Sequence, residues 1–155
     1  YQGGYERIAK LIGLYCAPAH QAAALAQLFD QVALSCMVGN GDAHLKNFGL
    51  LYTHPEAGDV RMAPAYDIVC TTCYIRDDAL ALTLAGSRSL FRARVDLVEF
   101  GRTRCGLKAP QKRIAHLLKA MMQTMARQRD LIEEVPGLHE ILSHQCDLFR
   151  YLATG

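Results

Sequence analysis

The sequence predicts a mainly α-helical domain with one small β-hairpin set between two helical halves. Three observations lead there. Apolar residues recur at helical spacing over 3–38 and again from 95 to the C-terminal end. Between these halves, "NFGLLYT" and "VRMAPAYDIV" are short, β-rich runs separated by "HPEAGD", in which Pro55 and Gly58 are turn chemistry. The 155 residues, about half hydrophobic and a fifth charged, are one domain's worth of chain, long enough to bury a substantial core.

The first helix is expected in "GGYERIAKLIGLYC" (3–16), with Ile8, Leu11, Ile12 and Tyr15 on one face. The second runs from about Ala19 to Val38. Leu25, Leu28, Phe29, Val32 and Cys36 form its stripe, and alanines fill much of the remainder, so it is expected to pack on several sides. Gly39-Asn40-Gly41 ends it, since glycine and asparagine accept the left-handed conformation that terminates helices. After the hairpin, "ALALTLAG" (79–86) reads as a short extended piece. Val95 to Arg104 is the next helix. "APQKRIAHLLKAMMQTMARQRDLIEEV" follows as a single long one, with Ile114, Leu117, Leu118, Met121, Met122 and Met125 in an unbroken stripe. Those methionines read as core packing. "GLHEILSHQCDLFRYLAT", after Pro136-Gly137, is the last helix.

Composition narrows the classes further. No run of about 18 apolar residues occurs and no secretory signal is visible, so the expectation is a cytoplasmic protein without a membrane span. Six cysteines include one C-x-x-C, Cys70 and Cys73. A structural zinc site would want a second pair or two closely spaced histidines, so reduced thiols are the favoured reading. Net charge is only +2, but residues 86–129 hold 11 Lys and Arg against Asp96 and Glu99. Most of these charges are expected on solvated helix faces, with contact to DNA or an acidic substrate as the minority reading.

The chemistry concentrates in "VGNGDAHLKNFGLLY" (38–52). An acid, an imidazole, an ammonium and an amide fall within Asp42 to Asn47, and an apolar setting penalises such groups unless they are paired. D-x-x-x-x-N alone is a weak pattern. Pairing the two strands about a turn centred near Ala57 puts residue 67 opposite residue 47, however, so Asp42, Asn47 and Asp67 are expected to converge at the open end of the hairpin. Oxygen ligands from Asn47 and Asp67 suit Mg²⁺, which completes its octahedron with water and phosphate oxygens. A further carboxylate outside the metal shell, Asp42, can accept a hydroxyl proton, and Lys46 can help neutralise phosphate charge. Taken singly, Asp42 reads as a turn cap, Asn47 as a strand starter and Asp67 as a loop acid. Taken jointly they favour phosphoryl transfer.

"NGDAHLKNFGLLY…MAPAYDIV" resembles the HipA-like serine/threonine kinases, the toxin half of bacterial toxin–antitoxin pairs. Asp42, His44, Lys46, Asn47 and Phe48 match that family's catalytic loop, and Pro64, Tyr66 and Asp67 match its following Pro-x-Tyr-Asp segment. Gly3-Gly4 after Tyr1 loosely resembles the family's lead into its helical lobe. The resemblance implies Asp42 as catalytic base and Asn47 and Asp67 as Mg²⁺ ligands, with His44, Lys46 and Tyr66 in the ATP-contacting stretches. It also implies a protein substrate such as an aminoacyl-tRNA synthetase, growth arrest as outcome, and restraint by a HipB-like helix-turn-helix antitoxin that brings DNA into the complex. His44 equally reads as a brace for the loop, and Lys46 as a solvated charge.

A kinase also needs a phosphate-cradling loop and a strand lysine. Neither precedes Asp42; Lys10 lies in an amphipathic helix. Residues 1–155 are therefore expected to be the helical C-lobe alone, with negligible activity in isolation. Two other readings remain: a small-molecule phosphotransferase of the aminoglycoside-kinase type, whose loop also reads G-D-x-H-x-x-N, and a non-catalytic partner-binding fragment.

Overall fold

The computed structural model describes residues 3–54 and 56–153, so Tyr1 and the turn residue Pro55 lie outside the described residues. Within them the chain forms six α-helices and one two-stranded antiparallel hairpin, the mainly α architecture the sequence predicts. The helices are α1 (Tyr5–Tyr15), α2 (Pro18–Val38), α3 (Leu90–Thr103), α4 (Pro110–Arg127), α5 (Arg129–Glu133) and α6 (Leu138–Ala153). The strands are β1 (Leu50–Leu51) and β2 (Arg61–Met62), and short 3₁₀ turns cover Leu45–Asn47 and Thr71–Cys73. No described helix is long and apolar enough to cross a membrane.

Helix α2 is the hub. It starts on Pro18, whose fixed φ suits a first helical position, and ends at Gly39 with φ +70°. In between it touches α1, β2, α3, α4 and α6. Leu28, Phe29, Val32, Ala33 and Met37 are fully buried along it, each large side chain stabilising the fold by roughly 1.5–3 kcal/mol. Two glutamines on the same helix face the hairpin. Gln27 Nε2 and Gln31 Nε2 donate to the Ala63 carbonyl at 2.6 and 3.2 Å, holding the end of β2 against the hub.

Several expectations need correction. On α1 the buried face is Tyr5, Ile8, Ala9 and Ile12, whereas Leu11 and Tyr15 are exposed. These two instead line a small apolar pocket with Ile8, Leu45, Phe48 and Met62. Helix α3 begins five residues before the expected Val95, because the Ser89 hydroxyl accepts from the Arg92 N–H at 3.3 Å and caps it. The expected long helix breaks at Gln128, whose ψ of 26° leaves the helical well. The bend lets α5 fold back against α6 and pack Ile132 on the core.

The hairpin is shorter than expected and slipped by two residues. Leu50 faces Met62, where a turn centred at Ala57 would have set it against Pro64. Proline has no N–H to give to a ladder, so pairing stops at Ala63, whose N–H bonds the Gly49 carbonyl at 2.9 Å. Residues 79–86 form no strand. They carry only isolated bridges, Thr83 to Gly4 and Leu84 to Ser87, with Leu80, Leu82 and Leu84 in the core and Ala85 and Gly86 exposed; Tyr5 N–H to Thr83 O (3.0 Å) and Thr83 N–H to Gly3 O (3.1 Å) tie them to the start of α1.

Candidate active site

The loop from Gly39 to Gly49 leaves the hub helix and feeds β1. A loop has few partners for its own backbone, so side chains from elsewhere must supply them. Tyr5, fully buried on α1, donates its hydroxyl to the Ala43 carbonyl at 3.0 Å and sets its ring edge-on to Phe48 at 5.9 Å. Burial pushes the Tyr5 phenol pKa up, so this donor stays protonated. The Tyr66 hydroxyl likewise donates to the Lys46 carbonyl at 2.5 Å. Inside the loop, the His44 N–H donates to Asn47 Oδ1 at 2.8 Å and closes the 3₁₀ turn.

The central contact joins residues twenty apart in sequence. Asn47 Nδ2 donates to Asp67 Oδ2 at 2.6 Å. Asn47 is buried and Asp67 exposed, so the pair sits at the loop surface with its carboxylate open to solvent. Ladder register alone does not bring them together, because the strands stop before either residue. Asp67 reaches the position by adopting φ +57°, a left-handed conformation that Asp tolerates better than most non-glycine residues. Such outliers persist where the surroundings over-determine them and cluster at functional sites.

Asp42 lies on the same loop with an exposed side chain. Its backbone is fixed: its N–H donates to Asn40 Oδ1 at 2.9 Å, and its carbonyl accepts from the His44 N–H at 2.7 Å. In the sequence Asn40 reads only as a helix stop. It is fully buried, and its other amide end, Nδ2, lies 3.5 Å from the Asp67 carbonyl. One side chain thus ties the backbone of residue 42 to that of residue 67. The signal available in the sequence was an asparagine between two glycines where either glycine alone would have ended the helix.

The structure therefore brings Asn47 and Asp67 into contact, hangs Tyr66 on the loop at Lys46, and places Asp42, His44 and Lys46 on that loop within six residues. Lys46 is exposed and His44 half-buried. Asn47 and Asp67 each keep oxygen capacity of the kind Mg²⁺ takes, although the contact between them runs through the Asn47 amide N–H. A carbonyl oxygen has two lone pairs, so Asn47 Oδ1 keeps one after accepting from His44, and Asp67 keeps Oδ1. Among the described residues no group of three or more His, Cys, Asp or Glu could hold a metal by itself. A dedicated protein cage is thus missing from the described residues, whereas one or two oxygen ligands plus phosphate is the usual Mg²⁺ arrangement.

Cys70 and Cys73 flank the next turn, with the Cys73 thiol donating to Cys70 Sγ at 3.2 Å. Burial first, and then the neighbouring thiol, push Cys73 up to about 11.

With the geometry described, comparison with known proteins places the chain in a class. The profile of the HipA-like C-terminal domain matches residues 1–129, and the chain belongs to that family. Among individual proteins, it is 31% identical over 90 residues to "Putative kinase Y4dM" of Sinorhizobium fredii, covering 57% of this chain and 20% of that protein. It is 29% identical over 124 residues to "Putative kinase Y4mE" of the same organism, covering 78% and 28%. "Putative kinase" of Haemophilus influenzae matches at 33% over 70 residues, covering 45% and 19%. The matched regions thus span about a fifth to rather more than a quarter of these relatives' lengths.

Proposed function

We propose that this chain carries the catalytic loop and metal-binding segment of an ATP-dependent serine/threonine protein kinase. The observation that supports this best is the 2.6 Å contact between Asn47 and Asp67, which brings two oxygen-bearing side chains together beside the loop of Asp42. In this reading Asp42 is the general base. It takes the proton from a serine or threonine hydroxyl of the substrate as that oxygen attacks the γ-phosphorus of ATP and ADP leaves. Asn47 and Asp67 would hold Mg²⁺, which when bound would offset charge on the phosphate oxygens. Lys46 adds a cation at the phosphates, and His44 and Tyr66 shape the nucleotide side of the loop. Tyr66 does so partly by fixing the backbone at Lys46.

The names of the relatives support the kinase class. The toxin reading, with a synthetase or similar protein as target and a HipB-like antitoxin as restraint, rests on the resemblance of the two sequence motifs alone. The nucleotide loop and strand lysine are assigned to a second lobe, so residues 1–155 alone are expected to be inactive.

Radiolabel transfer from ATP to protein, measured in the full-length gene product, tests the proposal. Asp42→Asn should lower turnover by about 10²- to 10⁴-fold, the usual contribution of a positioned base. Asp67→Asn should raise the Mg²⁺ concentration needed for half-maximal rate. Transfer that survives both substitutions undiminished would refute the assignment.

A further inference from the structure

The 3₁₀ turn after Asp67 packs directly against the start of the catalytic loop. Gly41 donates its backbone N–H to Thr71 Oγ1 at 2.7 Å. The same hydroxyl lies 3.0 Å from the Gly39 carbonyl and in closer contact with a carboxylate oxygen of Asp78. A threonine hydroxyl has one proton to give. The Gly39 carbonyl already accepts from the Thr72 N–H at 3.2 Å, and a carboxylate is the stronger acceptor, so the proton goes to Asp78. Asp78 is itself held, because its Oδ1 accepts from the Ala79 N–H at 2.8 Å. A Cβ on Gly41 would collide with that carboxylate, which leaves the loop no room to shift toward it.

We infer that Thr71, oriented by Asp78, is a positioning residue for the turn that carries Asp42. The chain of contacts runs from Ala79 N–H through Asp78 and Thr71 to the Gly41 N–H, one residue before the proposed base. Together with Asn40, which bonds the backbones of residues 42 and 67, it makes the base-bearing loop and the metal-bearing segment one hydrogen-bonded body. The contacts of Thr71 are with the backbone of residues 39 and 41 and with Asp78, so it is assigned no direct part in the transfer. It acts through backbone geometry, and its catalytic consequence rests on the kinase reading above.

Thr71→Val preserves shape and removes the hydroxyl, whereas Thr71→Ser keeps the hydroxyl. In the full-length protein, Thr71→Val should reduce kcat about 10- to 100-fold, the scale of an ångström-level misplacement, with KM for ATP changed less than about twofold. Thr71→Ser should recover most of the rate. Adding Asp78→Asn to Thr71→Val should cost little more, because both changes break one chain. Amide hydrogen exchange reads the contact without any assay of transfer: Gly41 should exchange about tenfold faster in Thr71→Val and near the wild-type rate in Thr71→Ser. An unchanged Gly41 amide, or equal losses of kcat in the valine and serine variants, overturns the inference. The two ideas fail separately. A wild-type protein that transfers no phosphate sinks the kinase reading, and Gly41 exchange still decides whether Thr71 holds the turn.

Discussion

Substituting Gly39 by alanine is expected to be costly, for two separable reasons. Gly39 adopts φ +70°, where an L-residue with a Cβ loses roughly 1–2 kcal/mol. The added methyl would also collide with the Thr72 hydroxyl and lie 3.1 and 3.2 Å from Thr72 Cγ2 and Cβ. Thr72 cannot readily yield. It is buried, stiff at χ1 as a β-branched residue, and its hydroxyl contacts Cys70 Sγ at 3.4 Å. Overpacking of that kind costs about 1–3 kcal/mol, so the total is about 2–5 kcal/mol. Gly58 provides the control: its φ is +64°, but nothing lies within 4 Å of its notional Cβ. Gly58→Ala should therefore cost only the backbone part, about 1–2 kcal/mol. Urea unfolding at constant m-value measures both, and Tm should fall by about 2–4 °C for each kcal/mol. If the two variants differ by less than about 0.5 kcal/mol, the packing of Thr72 on Gly39 does not restrain the loop as described.

Two further predictions concern the scaffold. Arg113 on α4 grips Asp30 on α2 with two nitrogens, Nε at 2.8 Å from Oδ1 and Nη2 against Oδ2, with 41% and 30% of the side chains exposed. Because solvent screens a pair so placed, Arg113→Met should cost only about 1 kcal/mol in urea unfolding, and the difference should shrink in 1 M salt. Burial pushes the Cys36 thiol from the usual 9.0 up to about 12. The folded state therefore holds a proton that the unfolded chain releases, so this thiol's contribution is complete below pH 9 and is lost as pH rises toward 12. Cys36→Ala should flatten the alkaline fall in stability across that window, by up to about 1.4 kcal/mol per pH unit; an unchanged slope would refute the assignment.

How much of this was legible in the sequence depended on the range of the forces involved. Helix α2 was legible nearly to the residue because its stripe and its Gly39 stop are local. The break at Gln128 was not, since the heptad-like stripe of α4 continues past it and only packing of α5 on α6 rewards the bend. Asn47 and Asp67 were matched through a hairpin register that proved two residues off. The pairing survives because the side chains meet beyond the ladder, where the left-handed backbone of Asp67 redirects the chain. Apart from the two glycines that flank Asn40, nothing in the sequence singles out the residues that hold the site from behind. Asn40, Thr71, Asp78 and the two glutamines of α2 are ordinary polar residues whose partners lie 2 to 36 positions away.

The proposed assignment of Asn47 and Asp67 as metal ligands also predicts how a metal should behave there. Asn47 is neutral, so of this pair Asp67 alone would bring charge, and among the described residues no group of three or more His, Cys, Asp or Glu gathers into a cage. An ion held by one carboxylate and one amide binds at about millimolar strength or weaker, since affinity for hard cations follows charge count and site rigidity. Triphosphate oxygens would supply the missing ligands, making metal and nucleotide binding mutually dependent and, by linkage, reciprocal. Paramagnetic broadening by Mn²⁺ reads this directly. Resonances of Asn47 and Asp67 should broaden at far lower Mn²⁺ when ATP is present, and Asp67→Asn should abolish the ATP-dependent part while leaving the fold intact. Micromolar Mn²⁺ binding by the protein alone, indifferent to Asp67→Asn, would mean that the ion sits elsewhere and that the contact between residues 47 and 67 is only a brace.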